Sequence, residues 1–185
     1  MKTIFVGVRY EACKAFYDLM QNYGYETAIV TFQNTFIAQK ISEFKGASFK
    51  EILPYEKDTV MKFLAGTLAK DRFKIFLSAG LPYLLPKEFF RHKTVFVNSH
   101  PHVLPKYKGL KVISESYEAG CKEYGVTTHF MNEKPDSGKI ILKKKIMFIP
   151  KKKNNIKTLY RLLFSFLEPA AIAETMTVLK QKRTI

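Results

Sequence analysis

The sequence predicts a three-layer α/β domain in which a mostly parallel sheet is covered by helices on both faces. Short β-favouring runs alternate with stretches whose apolar residues recur at three-and-four spacing, the pattern of successive β-α-β units. The opening run Ile4 to Val8 is apolar without polar alternation, as expected of a strand buried on both sides. With 185 residues, 46% hydrophobic and 14% aromatic, the chain suits one domain, 1–185, with an ample core.

After Ile4–Val8, residues Glu11 to Tyr23 place Ala12, Ala15, Phe16, Leu19, Met20 and Tyr23 on one stripe and stop at Gly24, which predicts an amphipathic helix. Glu26–Thr31 reads as the second strand, Thr35–Phe44 as a short helix and Ser48–Leu53 as a third strand closed by Pro54. Asp58 is the expected cap of a helix through Ala69. Arg72–Leu77 reads as a buried strand and Thr94–Val97 as another, followed by a helix over Val112–Lys122, a strand over Val126–Met131 and one over Ile140–Phe148. A last helix, Ile156–Lys180, is expected to kink at Pro169. Sheets of this kind hold ligands outside the carboxyl ends of their strands, which directs attention to Ser78, His100 and the loop before Ile140.

Cys13 and Cys121 lie in separate helical patterns, which suggests packing rather than a metal site or a disulfide framework. No apolar run approaches the roughly 18 residues of a membrane span, and the amino terminus is too short before Arg9 for a secretory segment, so a cytoplasmic protein is expected. The formal charge of +15 can steer phosphate-bearing partners. The densest basic runs, Lys143–Lys145 and Lys151–Lys153, have no interleaved aromatics to stack bases, and a solvated basic face accounts for them better.

Chemistry concentrates after Val95–Val97. Asn98 and His100 stand two positions apart, so on an extended chain they point to one side, and Pro101 stops a central strand there. By themselves they read as a turn cap and a structural histidine. The longer pattern Asn98-x-His100-Pro101, then Leu104-Pro105, then Tyr107-Lys108-Gly109, resembles the signature of the formyltransferase family that uses 10-formyltetrahydrofolate, which includes glycinamide ribonucleotide, methionyl-tRNA and sugar N-formyltransferases. In that family the Asn and His act with an Asp on a loop of the form Asp-[Thr/Ser/Gly]-Gly ahead of an apolar strand. Here Asp136-Ser137-Gly138 stands 36 positions after His100 and precedes Ile140-Ile141-Leu142.

The resemblance implies a Rossmann-like fold, 10-formyltetrahydrofolate as co-substrate, no metal, and catalytic roles for Asn98, His100 and Asp136. Asn98 and His100 would donate hydrogen bonds to the oxyanion formed when an amine attacks the formyl carbon. Asp136 would hold His100 charged and accept the amine's proton, directly or through water. The apolar turn Ser78–Pro86, with Gly80, Pro82, Tyr83, Leu84 and Leu85, and the loop Asn132-Glu133-Lys134-Pro135 match the segments that bind the pterin. His129 matches a histidine seen near the catalytic Asp of the glycinamide ribonucleotide enzymes, with a strand histidine bonded to a loop carbonyl as the alternative. His92 and His102 carry no match and read as surface residues.

Departures bear on the acceptor. Where the glycinamide ribonucleotide enzymes carry a Gly-rich phosphate loop after strand one, this chain has Gly7-Val8-Arg9-Tyr10-Glu11-Ala12, leaving Arg9 or the helix start to meet a phosphate. Neither the C-terminal barrel of the methionyl-tRNA enzymes nor the extra structure of the sugar enzymes follows, so a bare catalytic core is expected. Lys139 stands where the family often has Pro. The expected activity is transfer of a formyl group to the primary amine of a small acceptor, an amino sugar or a glycinamide ribonucleotide-like molecule. The alternatives are a 10-formyltetrahydrofolate hydrolase, a methionyl-tRNA formyltransferase-like protein, or a non-catalytic folate- or RNA-binding module.

Overall fold

The computed structural model describes residues 1–150 and 155–185; the expected basic run Lys151–Lys153 lies outside the described residues. Seven strands, β1 (Lys2–Gly7), β2 (Glu26–Phe32), β3 (Phe49–Leu53), β4 (Phe73–Ala79), β5 (Val95–His100), β6 (Glu123–Phe130) and β7 (Ile140–Met147), form one sheet in the order β3-β2-β1-β4-β5-β6-β7. The first five pair in parallel and the last two are antiparallel. The helices are α1 (Tyr10–Asn22), α2 (Phe36–Gln39), α3 (Lys57–Lys70), α4 (Val112–Glu118), α5 (Asn155–Arg161) and α6 (Glu168–Gln181). This is the mostly parallel three-layer arrangement that the alternation of strand and helix patterns predicts.

Two apolar layers cover the sheet. On one face Phe5, Ile29, Ile75, Leu77 and Val97 meet Phe16 and Met20 of α1 and Ile172 and Met176 of α6. On the other, Ile4, Val30, Phe76 and Phe96 meet Val60, Leu64 and Leu68 of α3, with Leu85 and Phe89 closing the end near the cleft. A third cluster joins α4 and α5 to Tyr124 and Val126 of β6.

Several boundaries differ from the sequence expectation. Asp58 lies inside the first turn of α3, whose cap is Glu56 without a side-chain hydrogen bond; near a helix start a carboxylate still meets the positive end of the helix dipole. The helix expected to Lys122 ends at Glu118, because Gly120 turns the chain at φ 69° and β6 begins at Glu123. Around Pro169, which lies in the first turn of α6, the helix is continuous over Asn155–Gln181, with π geometry at Leu162–Leu167. The wider π turn supplies the slack that the proline ring and its missing N–H demand. By length and composition this helix is also apolar enough to cross a membrane, at mean hydropathy 1.4 over its best window, where the sequence showed no such run. It lies against α1 and the sheet, with Leu159, Leu163, Ala171, Ile172, Met176 and Leu179 buried. Lys144 and Lys145 of the basic strand β7 pair with Glu174 and Glu123.

Candidate active site

β4 and β5 end side by side, Ser78 opposite Asn98 and Ala79 opposite Ser99, and a cleft of about 340 Å³ opens beyond them. Every sequence-predicted site residue lines it: Asn98, His100, Asp136, His129 and Arg9, the turn residues Gly80, Pro82, Tyr83, Leu84 and Leu85, and Asn132, Glu133, Lys134 and Pro135. Leu81, inside the apolar turn that the sequence singled out, lines it too, while reading the sequence missed Phe90, Leu110 and Met131 on the apolar wall. Leu110, 81% exposed, follows Gly109 with no periodic neighbours to mark it.

The cleft has two chemically distinct ends. Along the turn after β4 the wall is apolar: Leu85 is buried in the sheet core while Leu84 is 62% exposed, so one leucine anchors the turn and the next is presented to a ligand. Gly80 sits at φ 81°, and a Cβ there would lie 2.8 Å from a methyl of Val8, so a side chain would push the turn off β1. The facing loop is held by its own polar groups, Asn132 Oδ1 accepting from the Lys134 N–H at 3.0 Å and the Ser137 hydroxyl at 2.9 Å.

The polar end is built where the sheet turns antiparallel. β6 runs against β5 with His129 opposite Asn98, so the end of β6 lies level with Val97 and not with His100. The loop to β7 must fold back over the sheet to reach the site, and Gly138 allows it: a Cβ there would stand 1.7 Å from the Phe130 carbonyl oxygen. Asp136, at φ 49°, then presents Oδ1 to His100 Nδ1 at 3.3 Å and to His129 Nε2 at 3.6 Å. Its Oδ2 accepts the Gly109 N–H at 2.9 Å, joining the two loops. Burial opposes the Asp136 charge, but the His100 and His129 rings and the Gly109 N–H outweigh it and hold the carboxyl well below the usual carboxylate range.

Hydrogen bonds orient both rings. His129 Nδ1 lies 2.9 Å from the Phe130 carbonyl and donates there, while its Nε2 faces both the Asn98 amide at 3.2 Å and Asp136 Oδ1 at 3.6 Å. His100 faces acceptors on both nitrogens, the Tyr107 carbonyl at 2.8 Å from Nε2 and Asp136 Oδ1 at 3.3 Å from Nδ1. His129 thus binds the carbonyl of the next strand residue, Phe130, and not a loop carbonyl as the alternative sequence reading had it, and also touches the site.

Two expectations change. His102, read as a surface residue, is buried between the rings of Tyr107 and Tyr124, at centroid distances of 4.4 and 5.6 Å. Burial, with His100 nearby, pulls it down to about 4, and its Nδ1 accepts the Val103 N–H. Arg9, read as a contact for acceptor phosphate, is ion-paired with the fully buried Glu168 and rests 4.6 Å over the Phe164 ring, so its charge is already matched. Among the described residues no group of three or more His, Cys, Asp or Glu side chains could hold a metal ion.

A family model for formyl transferase matches residues 37–175, a span holding Asn98, His100, His129 and Asp136. The chain belongs to the formyl transferase family. Its match begins at Ile37, after β1, α1 and Arg9. The chain is 41% identical over 76 residues to the phosphoribosylglycinamide formyltransferase of Haemophilus influenzae, covering 41% of this chain and 36% of that protein. It is 35% identical over 79 residues to the methionyl-tRNA formyltransferase of Coprothermobacter proteolyticus, covering 42% of this chain and 26% of that protein. Both alignments therefore span well under two thirds of the relatives' own length. In fold the formyl transferase chain is similar to glycinamide ribonucleotide transformylase 1 of Symbiobacterium toebii, with a TM-score of 0.81 over 98% of this chain and 88% of that one, at 18% identity.

Proposed function

We propose that this member of the family transfers the formyl group of 10-formyltetrahydrofolate to the primary amine of a small acceptor. The observation that carries the reading is the Asp136 carboxylate facing both His100 and His129 at the polar end of an otherwise apolar cleft. The flat pterin lies against the turn of Tyr83 and Leu84 and the loop of Asn132 to Pro135, with the formyl carbon toward Asn98. The amine nitrogen attacks that carbon; the Asn98 amide and the His100 charge stabilise the oxyanion, each such donor being worth on the order of a hundredfold in rate. The carbon–nitrogen bond to the folate then breaks, and the proton lost by the amine ends on the departing folate nitrogen.

The low proton affinity of Asp136 sharpens its role. A carboxylate held so far below neutral pH is a poor proton carrier, since general bases work best with a pKa near the operating pH. Asp136 therefore keeps His100 charged and orients a water, and the proton passes through that water.

The acceptor is a small amine for which Arg9 supplies no free charge, an amino sugar being favoured over a phosphate bound at the start of α1. The test is donor consumption followed with a panel of amino sugars, glycinamide ribonucleotide and no amine. Formylated product with wild-type chain, lost in Asn98→Ala and His100→Ala with the binding of 5-formyltetrahydrofolate retained, is the expected result. Formate release at the same rate without amine reassigns the site to hydrolysis, and salt-sensitive RNA binding with no donor consumption removes the enzymatic reading.

A further inference from the structure

Asn98 and His100 face the cleft, so Ser99 between them faces the opposite side of the sheet. There its hydroxyl donates to Glu168 of α6, and Arg9, ion-paired to the same carboxylate, lies 3.4 Å from the Ser99 carbonyl. The neighbouring strand repeats the arrangement. Thr128, opposite Ser99 in the β5–β6 register, hydrogen-bonds Thr175 of α6. Glu168 and Thr175 are seven positions apart, about two turns, and so share one helix face. One helix thus reaches, from behind, the two strands whose front carries Asn98, His100 and His129.

This polar stripe is a poor device for stability. Glu168 is 0% exposed, one of its oxygens has no partner among the described residues, and the surrounding cluster is apolar. Buried ion pairs of this kind are commonly matched or bettered by apolar replacements, because desolvation offsets the attraction. The π turn over Leu162–Leu167 ends directly before Glu168; such turns are frequent at functional sites, and this one sets where Glu168 meets the sheet.

We infer that Glu168, with Arg9 and Thr175, is a positioning element that fixes β5 against β6 from behind, so that Asn98, His100 and His129 meet Asp136 in working geometry. Its activity readout rests on the formyl-transfer reading above; its structural readout does not.

The decisive variant is Arg9→Met/Glu168→Gln, which removes both charges and leaves neither buried alone; Glu168→Gln by itself strands Arg9 and lowers the Tm. Thr175→Val removes one hydroxyl at constant shape. For each, thermal unfolding, affinity for 5-formyltetrahydrofolate, kcat, and the ring nitrogen resonances of His100 and His129 in the ligand-free chain are measured. The double variant is expected to unfold near the wild-type temperature and bind the folate within about twofold, yet to lose about ten- to a hundredfold in kcat, the scale of a misplacement of about 1 Å, with both histidine rings shifted. Thr175→Val should lose a few-fold in the same direction, and it decides by the same readouts if the double variant does not fold. Wild-type kcat together with unmoved ring signals overturns the proposal. If the wild-type chain turns over no formyl donor, the formyl-transfer reading fails, and the ring signals alone decide this one: shifted rings support it and unmoved rings overturn it.

Discussion

The sheet has two halves that obey different rules. In β1, β2 and β4 the strand centres are apolar on both faces, Ile4-Phe5-Val6, Ala28-Ile29-Val30 and Ile75-Phe76-Leu77 all at 0% exposure, and these strands' buried polar residues are Thr3, Thr27, Thr31 and Ser78, none of them titratable. In β5 and β6 the buried positions include Ser99, His100, Thr127, Thr128 and His129 in adjacent register, with His102, Asp136 and Glu168 around them. The first half is a scaffold held by area removed from water; the second spends core positions on hydrogen-bonded groups whose value lies in their placement. Stability and chemistry should therefore separate between the halves.

The largest effects test that separation directly. Asp136→Asn keeps the volume of the side chain but removes the carboxylate beside His100; turnover should fall on the order of a hundredfold or more, a far larger change than the loss in urea midpoint at neutral pH that removal of a stabilising carboxylate brings. Phe76→Ala, in the scaffold half, should do the reverse, losing about 3–5 kcal/mol of stability through the cavity it leaves while the protein that remains folded keeps its specific activity. A matching loss of both quantities in either variant would merge the halves into one cooperative unit.

A smaller effect distinguishes the halves by pH. His102 is pulled down to about 4 when folded from an ordinary value near 6.5, so the unfolded chain binds the proton more tightly. Its contribution to stability is complete above about pH 6.5 and is lost as the pH falls through 4, amounting to about 3 kcal/mol at pH 4. Asp136 adds loss at lower pH, because a depressed carboxyl stabilises only while ionised, and that contribution declines below about pH 4. Denaturant titrations between pH 7.5 and 4 should show a flatter profile for His102→Gln than for wild type, the two curves running parallel above pH 7. Equal slopes throughout would place the acid sensitivity elsewhere.

The two halves also differ in how much of them can be read from the sequence. Uniform apolar runs such as Ile4–Val6 announce buried strands, and the Asn98, His100 and Asp136 pattern survives because residue identity and spacing define it. The reversal at β6 is not legible, since an apolar strand reads alike in either direction and the pairing of Asn98 with His129 is a tertiary fact. His102 sits in a loop without periodicity, and Tyr107 and Tyr124, not its neighbours in sequence, bury it. Glu168 was hidden differently: its partners Arg9 and Ser99 lie 159 and 69 positions away, though an acidic residue directly after Leu162-Leu163-Phe164-Ser165-Phe166-Leu167 and before Pro169-Ala170-Ala171-Ile172 is itself a signal of a buried partner.

The smallest expected effect concerns the apolar wall. Leu84 is 62% exposed in the ligand-free chain while Leu85 next to it is 6% exposed and part of the core. Removing the Leu84 side chain therefore takes almost nothing from the folded state, and its apolar area counts only when a ligand covers it. At about 0.8 kcal/mol per buried methylene, Leu84→Ala should weaken 5-formyltetrahydrofolate by about 1–2 kcal/mol, roughly five- to thirtyfold, with no change in Tm. Leu85→Ala should lower the Tm first and affect affinity only through the displaced turn. Calorimetric titration alongside thermal unfolding reads both, and a Leu84→Ala chain that binds the folate as tightly as wild type would mean that the pterin lies elsewhere in the cleft, against Met131 and the loop of Asn132 to Pro135 alone.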